Sequence, residues 1–165
     1  MKATYEDCLQ TNPRLNLVEA WPASIFPDAE YRYFRDCGCL ICSLTVLLRH
    51  GGVEETAIDP WMLNQRLIAC GAFTPAADLK LEKIGRLYPL EYLGELSYSK
   101  GDLCRAVENG MLCLITVPGV LAENHFTALL TVVEVDVLVF DPLYGEKHLS
   151  EYDRVCGIRM FRRDP

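Results

Sequence analysis

The segment at residues 39–49, which reads CLICSLTVLLR, is the feature that most constrains how this chain can fold. It is apolar on nearly every face, Gly51 and Gly52 end it, and Asp36 is available as a cap shortly before it. A helix that is apolar all round has to be buried on most of its sides. The sequence therefore predicts a helix at the centre of the fold, and Cys39 begins that helix.

Two further helices are predicted from the residues at their ends. One begins near Asp59, has a proline in its first turn, covers residues 61–70 and stops at a glycine. Proline early and glycine just past the end are typical of helices. The other covers residues 100–109, with Ser99 as its cap and a glycine directly after it.

The last third of the chain changes to short runs rich in β-branched and aromatic residues, which are typical of strands. The second and third runs are close enough to form a hairpin that turns near residues 134–136. Helices first and strands last predict an α+β fold, in which the buried helix packs on a mostly antiparallel sheet. The length of 165 residues fits one domain over residues 1–165, with an irregular, aromatic-rich N-terminal arm at residues 1–36. The four predicted strands are 111–117, 126–133, 135–140 and 155–161.

Composition excludes several classes of function. The chain has 16 basic and 23 acidic residues, a net charge of −7, and no basic cluster, which argues against a nucleic-acid surface. Its longest apolar runs without charge span 12 residues, whereas a bilayer span needs about 20. The polar, acidic start does not look like a signal peptide. We therefore expect a cytoplasmic protein without a membrane span, whose eight cysteines are reduced thiols.

Cys39 is the first candidate for chemistry. A thiol at a helix N-terminus meets the positive end of the helix dipole and unpaired amides, which favour the thiolate. Gly38 just before it lets the backbone turn tightly and bring amide groups close to a substrate carbonyl. A buried cysteine that happens to begin a helix explains the same feature, so Cys39 alone decides nothing.

His125 and Asp141 are the second and third candidates. His125 begins the second predicted strand, and Asp141 ends the third, where Pro142 stops the ladder. Taken singly, each has an ordinary structural explanation, as a satisfied histidine or a turn-starting Asp-Pro pair. If the two strands form a hairpin, however, both side chains emerge at the same open end. A thiol, an imidazole and a carboxylate are what a nucleophile, its base and the group that orients the base require.

These motifs also carry a resemblance to a known family. Gly38-Cys39 opens the apolar helix, His125-Phe126 leads a strand, and Asp141-Pro142 is followed by Gly145. In this order they resemble the papain-like cysteine peptidases that process bacteriocin leaders, the double-glycine peptidase type, over roughly residues 36–155. The resemblance implies a papain-like fold, a peptide or protein substrate and no cofactor. It also implies Cys39 as nucleophile, His125 as base and Asp141 as the orienting residue.

The resemblance further implies a glutamine upstream of the cysteine, whose amide helps to stabilise the oxyanion. None lies directly upstream here, and Gln10, in Gln10-Thr11-Asn12-Pro13-Arg14, is the only candidate before Cys39. Backbone amides at Gly38 and Cys39 are the other candidate donors. Tyr33 and Trp21, on the aromatic-rich arm, are candidates for lining a substrate groove or, equally, for the core.

Three other interpretations remain open. Cys37, Cys39 and Cys42 spell C-x-C-x-x-C, but structural zinc sites normally take four ligands, and no second cluster accompanies these, so no metal is expected. The same triad supports acyl transfer to amines, as in transglutaminase-like enzymes. A protein that kept the fold for binding a peptide or partner, without catalysis, is the third alternative.

Overall fold

The computed structural model describes residues 5–53, 58–120 and 123–165, so the first four residues of the predicted arm lie outside the described ranges. A six-stranded sheet has the strand order β1-β6-β2-β3-β4-β5, and each neighbouring pair is antiparallel. Helices together with an antiparallel sheet confirm the predicted α+β class. The strands are β1 Leu90–Ser97, β2 Leu112–Pro118, β3 Asn124–Val132, β4 Val137–Asp141, β5 Gly145–His148 and β6 Gly157–Arg163.

The helices lie close to where their end signals place them. Asp59 accepts a hydrogen bond from the Met62 N–H at 2.7 Å and caps α3, and Ser99 accepts one from the Asp102 N–H at 3.0 Å and caps α4. The predicted cap Asp36 is wrong, because Asp36 belongs to a short helix of its own and Gly38 is the residue that precedes α2. The helices are α1 Phe34–Cys37, α2 Cys39–His50, α3 Pro60–Ala69 and α4 Lys100–Glu108.

The predicted hairpin is present. β3 and β4 pair antiparallel, and Val133 and Asp136 exchange two backbone hydrogen bonds, at 2.9 and 3.2 Å, where the chain turns. Because the strands run in opposite directions, the start of β3 and the end of β4 lie at the same end of the sheet. All four predicted strands are found, whereas β1 and β5 were not predicted.

The sheet is covered on both faces. On one face α2 buries Ile41, Leu44 and Leu48 in a core cluster that includes Leu114 of β2 and Ala128 of β3. On the other face α4 contributes to a second cluster with alternate residues of β2, as expected for a strand whose side chains point to opposite faces. The members of that cluster from α4 and β2 are Leu103, Ala106, Cys113, Ile115 and Val117.

The central position predicted for α2 is confirmed. Every residue from Ile41 to Leu48 is buried, although a helix on a sheet normally leaves one face to water. The described part of the N-terminal arm covers the remaining side, with Cys8, Trp21 and Phe26 in the same core cluster. Among the described residues, no helix is long and apolar enough to cross a membrane.

Candidate active site

The first turn of α2 presents Cys39 at the surface of the core. Cys39 is half-buried. The backbone of Gly38, the residue before it, passes very close to α1. A Cβ built on Gly38 would lie 2.5 Å from the Phe34 carbonyl oxygen and 2.6 Å from the Phe34 Cδ1. Only glycine therefore fits between α1 and α2. The Gly38 N–H donates to that same Phe34 oxygen at 2.7 Å. It is therefore not available to stabilise an oxyanion, which is the role considered for it from the sequence.

His125 and Asp141 meet at the end of the β3–β4 hairpin. The His125 Nε2 lies 2.8 Å from the Asp141 Oδ1, and the two residues are 7% and 0% exposed. A hydrogen bond between two such buried groups is little weakened by solvent. The bond uses Nε2, so Nδ1 is the ring nitrogen left for another partner.

The Asp141 carboxylate is held by more than His125. Its Oδ1 also accepts a hydrogen bond from the Leu143 N–H at 2.8 Å, and its Oδ2 accepts one from the Tyr152 hydroxyl. Burial by itself would raise the pKa of Asp141, but the hydrogen bonds from His125, Tyr152 and Leu143 hold that pKa below its ordinary value. The carboxylate therefore stays charged inside the protein.

The Cys39 thiol is the other group that acts on the His125 ring. Burial by itself would lower the pKa of His125. The hydrogen bond to Asp141, the negative charge of that carboxylate and the interaction with Cys39 outweigh burial and raise that pKa from 6.5 to about 9. The imidazole is thus hydrogen-bonded through Nε2 to a carboxylate and also interacts with a thiol. Such a chain can take a proton from the thiol and return it to a leaving group.

Two cavities flank this chain of three residues. A cavity of about 380 Å³ is lined by Cys39, the first turn of α2 and, across from it, Asn124 and Phe126 of β3. A second cavity of about 240 Å³ is lined by His125, Asp141 and Tyr152 among others.

Gln10 lies beneath the site and not in either cavity lining. It is buried, its backbone N–H donates to the Pro142 oxygen at 2.9 Å, and its Nε2 donates to the Arg35 oxygen at 2.7 Å. Gln10 thereby connects the turn after Asp141 to the segment before Cys39. The amide has two N–H groups, so one of them is not accounted for by the bond to Arg35.

The two aromatic candidates are placed differently from each other. Trp21 is 3% exposed and belongs to the core, yet it also lines the cavity that contains Cys39. Tyr33 is 38% exposed, caps α1 and packs against the Arg35 guanidinium, but it does not line either cavity beside the triad.

The cysteines next to Cys39 are not arranged around a common point. Cys42 is completely buried in the core, and the Cys37 thiol donates weakly to the Tyr33 oxygen at 3.5 Å. Burial raises the pKa of Cys37 to about 12, with further contributions from Cys39 and Asp36. In the ranges that the structure describes, no three His, Cys, Asp or Glu side chains converge in a way that could hold a metal ion.

Sequence reasoning did not find Tyr152 or the Leu143 N–H, both of which bind Asp141. The proline and glycine around residue 143 indicate a turn, and an aspartate that starts a turn often accepts from the N–H two residues on. That signal could have identified Leu143. No local signal identifies Tyr152, which reaches Asp141 only because β5 and a 3₁₀ turn bring the chain back.

Comparison of the chain with models of protein families, with curated proteins and with solved structures returns no match.

Proposed function

We propose that this protein is a cysteine peptidase-like hydrolase with a papain-like fold, which cleaves a peptide or amide bond through Cys39, His125 and Asp141. The observation that carries the proposal is the hydrogen bond between His125 and the buried Asp141, together with the interaction of the Cys39 thiol with the same ring. A structural histidine needs no thiol at a helix N-terminus beside it and no open cavity on either side. The helix that bears the cysteine and the sheet that bears its partners agree with the resemblance seen in the sequence.

In the proposed reaction, His125 already holds the proton that Cys39 gives up, in keeping with its raised pKa, and the sulfur attacks the carbonyl carbon of the substrate. The C–N bond then breaks, the imidazolium gives its proton to the leaving nitrogen, and the acyl group remains on sulfur as a thioester. Water attacks the carbonyl carbon of the thioester while His125 takes a proton from the water. The C–S bond then breaks, the carboxylic acid is released, and Cys39 and His125 regain their starting state. Asp141 keeps the ring oriented and stabilises the imidazolium in both steps.

The oxyanion requires hydrogen-bond donors that are not already in use. Among the described residues no side chain caps α2, so the Cys39 N–H at its first turn is the nearest backbone donor to the sulfur. The second N–H of the Gln10 amide is the proposed side-chain donor, since the first N–H holds the Arg35 oxygen of α1. Gly38 contributes by its lack of a side chain and not by its amide.

A degenerate peptide library tests the proposal. The full chain is incubated with the library near pH 7, and new termini are detected by mass spectrometry; we expect cleavage that Cys39→Ala abolishes. Cys104→Ala is the matched control, because Cys104 is also a half-buried free thiol but lies on α4. We also expect iodoacetamide to alkylate Cys39 faster than Cys104 at pH 7.

Addition of a primary amine to the same reaction distinguishes hydrolysis from acyl transfer. The proposal expects acid products with and without the amine. Amide products that replace the acids would indicate an acyltransferase instead. Absence of any cleavage, together with alkylation of Cys39 that does not change in His125→Ala, would contradict an enzyme and favour a binding protein.

A further inference from the structure

A long groove leads away from Cys39. The cavity of about 380 Å³ that contains Cys39 adjoins a second cavity of about 400 Å³, and the two share Trp21, Cys37, Ala77 and Asp78 as walls. Together they are wide enough for several residues of an extended peptide. We call these two adjoining cavities the acidic groove, because carboxylates line both of them.

Among the described residues, every charged side chain that lines the groove is a carboxylate, and no lysine, arginine or histidine lines either cavity. The carboxylates are Asp28, Glu30, Asp36, Asp78 and Glu123. Within the described part of the chain, only Asp36 has a basic neighbour, the Arg35 Nε at 3.5 Å. The groove therefore holds an excess of negative charge that this chain leaves largely uncompensated.

Several residues that line the groove are apolar, and one of them, Trp21, has a buried donor without a partner among the described residues. Phe73, Leu79 and Phe126 line it together with Trp21. Trp21 is only 3% exposed, and its indole Nε1 has no hydrogen-bond partner among the described residues. A buried N–H without an acceptor is costly, which points to an acceptor that arrives with a ligand. A peptide carbonyl is such an acceptor.

We propose that the acidic groove binds a peptide segment with an arginine or lysine side chain next to the bond presented to Cys39. The inference rests on the proposed function and names its class of substrate. The aliphatic stem of the basic side chain packs on the aromatic side chains of the groove, while its charged end meets the carboxylates. Four of the five carboxylates are exposed and Asp36 is half-buried, so each contributes modestly, about two- to fivefold in affinity, and the effect is sensitive to salt.

Binding to Cys39→Ala tests this inference without turnover. The probes are two aminobenzoyl-labelled heptapeptides of alanine, one with a central arginine and one with citrulline, which has nearly the same shape but no charge. We expect the arginine peptide to bind several-fold more tightly at 50 mM salt, and this difference to shrink at 300 mM. Asp78→Asn and Glu123→Gln should each reduce the difference two- to fivefold. Glu108→Gln, which removes an exposed carboxylate on α4, should not.

Equal affinity for the two peptides, no binding of either, or an equal effect of Glu108→Gln would overturn the inference. Cleavage by the unaltered chain separates this failure from failure of the proposed function. Cleavage of both peptides at the same rate would leave the hydrolase in place and remove the preference for a basic side chain. Selective binding of the arginine peptide without cleavage would support the preference for a basic side chain and contradict the hydrolase.

Discussion

Asp141 and His125 lie sixteen residues apart in the chain, yet the Asp141 carboxylate accepts the His125 Nε2 hydrogen at 2.8 Å from a fully buried position. The β3–β4 hairpin produces this contact, because it brings the first residues of one strand beside the last residue of the other. The bond occupies Nε2 and leaves Nδ1 as the ring nitrogen for another partner.

Asp141→Asn should lower the reactivity of the site. The asparagine keeps the size of the side chain but loses the charge that stabilises the imidazolium. We expect turnover to fall by about 10²- to 10⁴-fold, as is typical of such a change in a triad, and the alkylation of Cys39 at pH 7 to slow. The control is Asp153→Asn, an exposed carboxylate that lines the same cavity as Asp141. Equal rates in the two variants would contradict the role given to Asp141.

The stability of the protein should depend on pH through His125. Its pKa is raised from 6.5 to about 9 in the folded chain, so its contribution is fully present below pH 6.5 and is lost as the pH rises through about 9. Asp141 has a lowered pKa, so its contribution is present above its ordinary value of 3.8 and is lost only at lower pH. The pair should therefore stabilise the fold most between about pH 4 and 6.5.

Urea denaturation of the unaltered chain and of His125→Gln, at several pH values from 5 to 10, measures this contribution. The difference between their free energies of unfolding should shrink as the pH rises from 6.5 to 10. Groups that titrate in both proteins cancel in the difference. A difference that stays constant over this range would show that His125 is not charged in the folded protein.

The parts of the fold that the sequence predicts are those with local signals. The apolar run of α2, the caps Asp59 and Ser99 and the β-branched and aromatic residues of the hairpin strands are each such a signal, and the hairpin alone was enough to bring His125 and Asp141 together. β1 carries no such pattern. Two of its residues, Glu91 and Glu95, form ion pairs with Arg162 and Arg159 of β6, which lies more than sixty residues later. Pairing over such a distance cannot be seen in a local window.

The contact of Tyr152 with Asp141 is also a consequence of long-range packing, and it yields a prediction. Tyr152→Phe removes one donor to a buried carboxylate, and a hydrogen bond to a charged group contributes about 1.5–3 kcal/mol. We expect the free energy of unfolding to fall by about that amount, the pKa of Asp141 to rise, and the alkylation of Cys39 to slow several-fold.

Tyr144→Phe is the matched control for Tyr152→Phe. Tyr144 lines the same cavity and also lies near the Lys147 ammonium, but it is 64% exposed. Tyr144→Phe should leave both the free energy of unfolding and the rate of Cys39 alkylation nearly unchanged. If the two tyrosine variants behave alike, the hydroxyl of Tyr152 does not support the triad.

Gly38→Ala should destabilise the protein, because the added methyl group has no space between α1 and the start of α2. Steric overpacking of this kind costs about 1–3 kcal/mol, and here it would also displace Cys39 from His125. Gly101→Ala is the control, since a Cβ at Gly101 meets nothing nearer than 3.9 Å and alanine is the better helix former. Thermal denaturation should show a lower midpoint for Gly38→Ala only. An unchanged midpoint would mean that α1 can move aside at no cost.

Gln10→Met tests whether the Gln10 amide acts on the reaction or only connects two segments. Methionine has a similar volume and no donor, and it also removes the Gln10 Oε1, which is buried without a partner among the described residues. We expect turnover to fall by about 10²-fold, the typical effect of losing one oxyanion donor. Alkylation of Cys39 by iodoacetamide should change less than twofold, because that reaction forms no oxyanion. If turnover and alkylation fall together, the bond from Gln10 to the Arg35 oxygen positions the start of α2, and the oxyanion is stabilised by backbone alone.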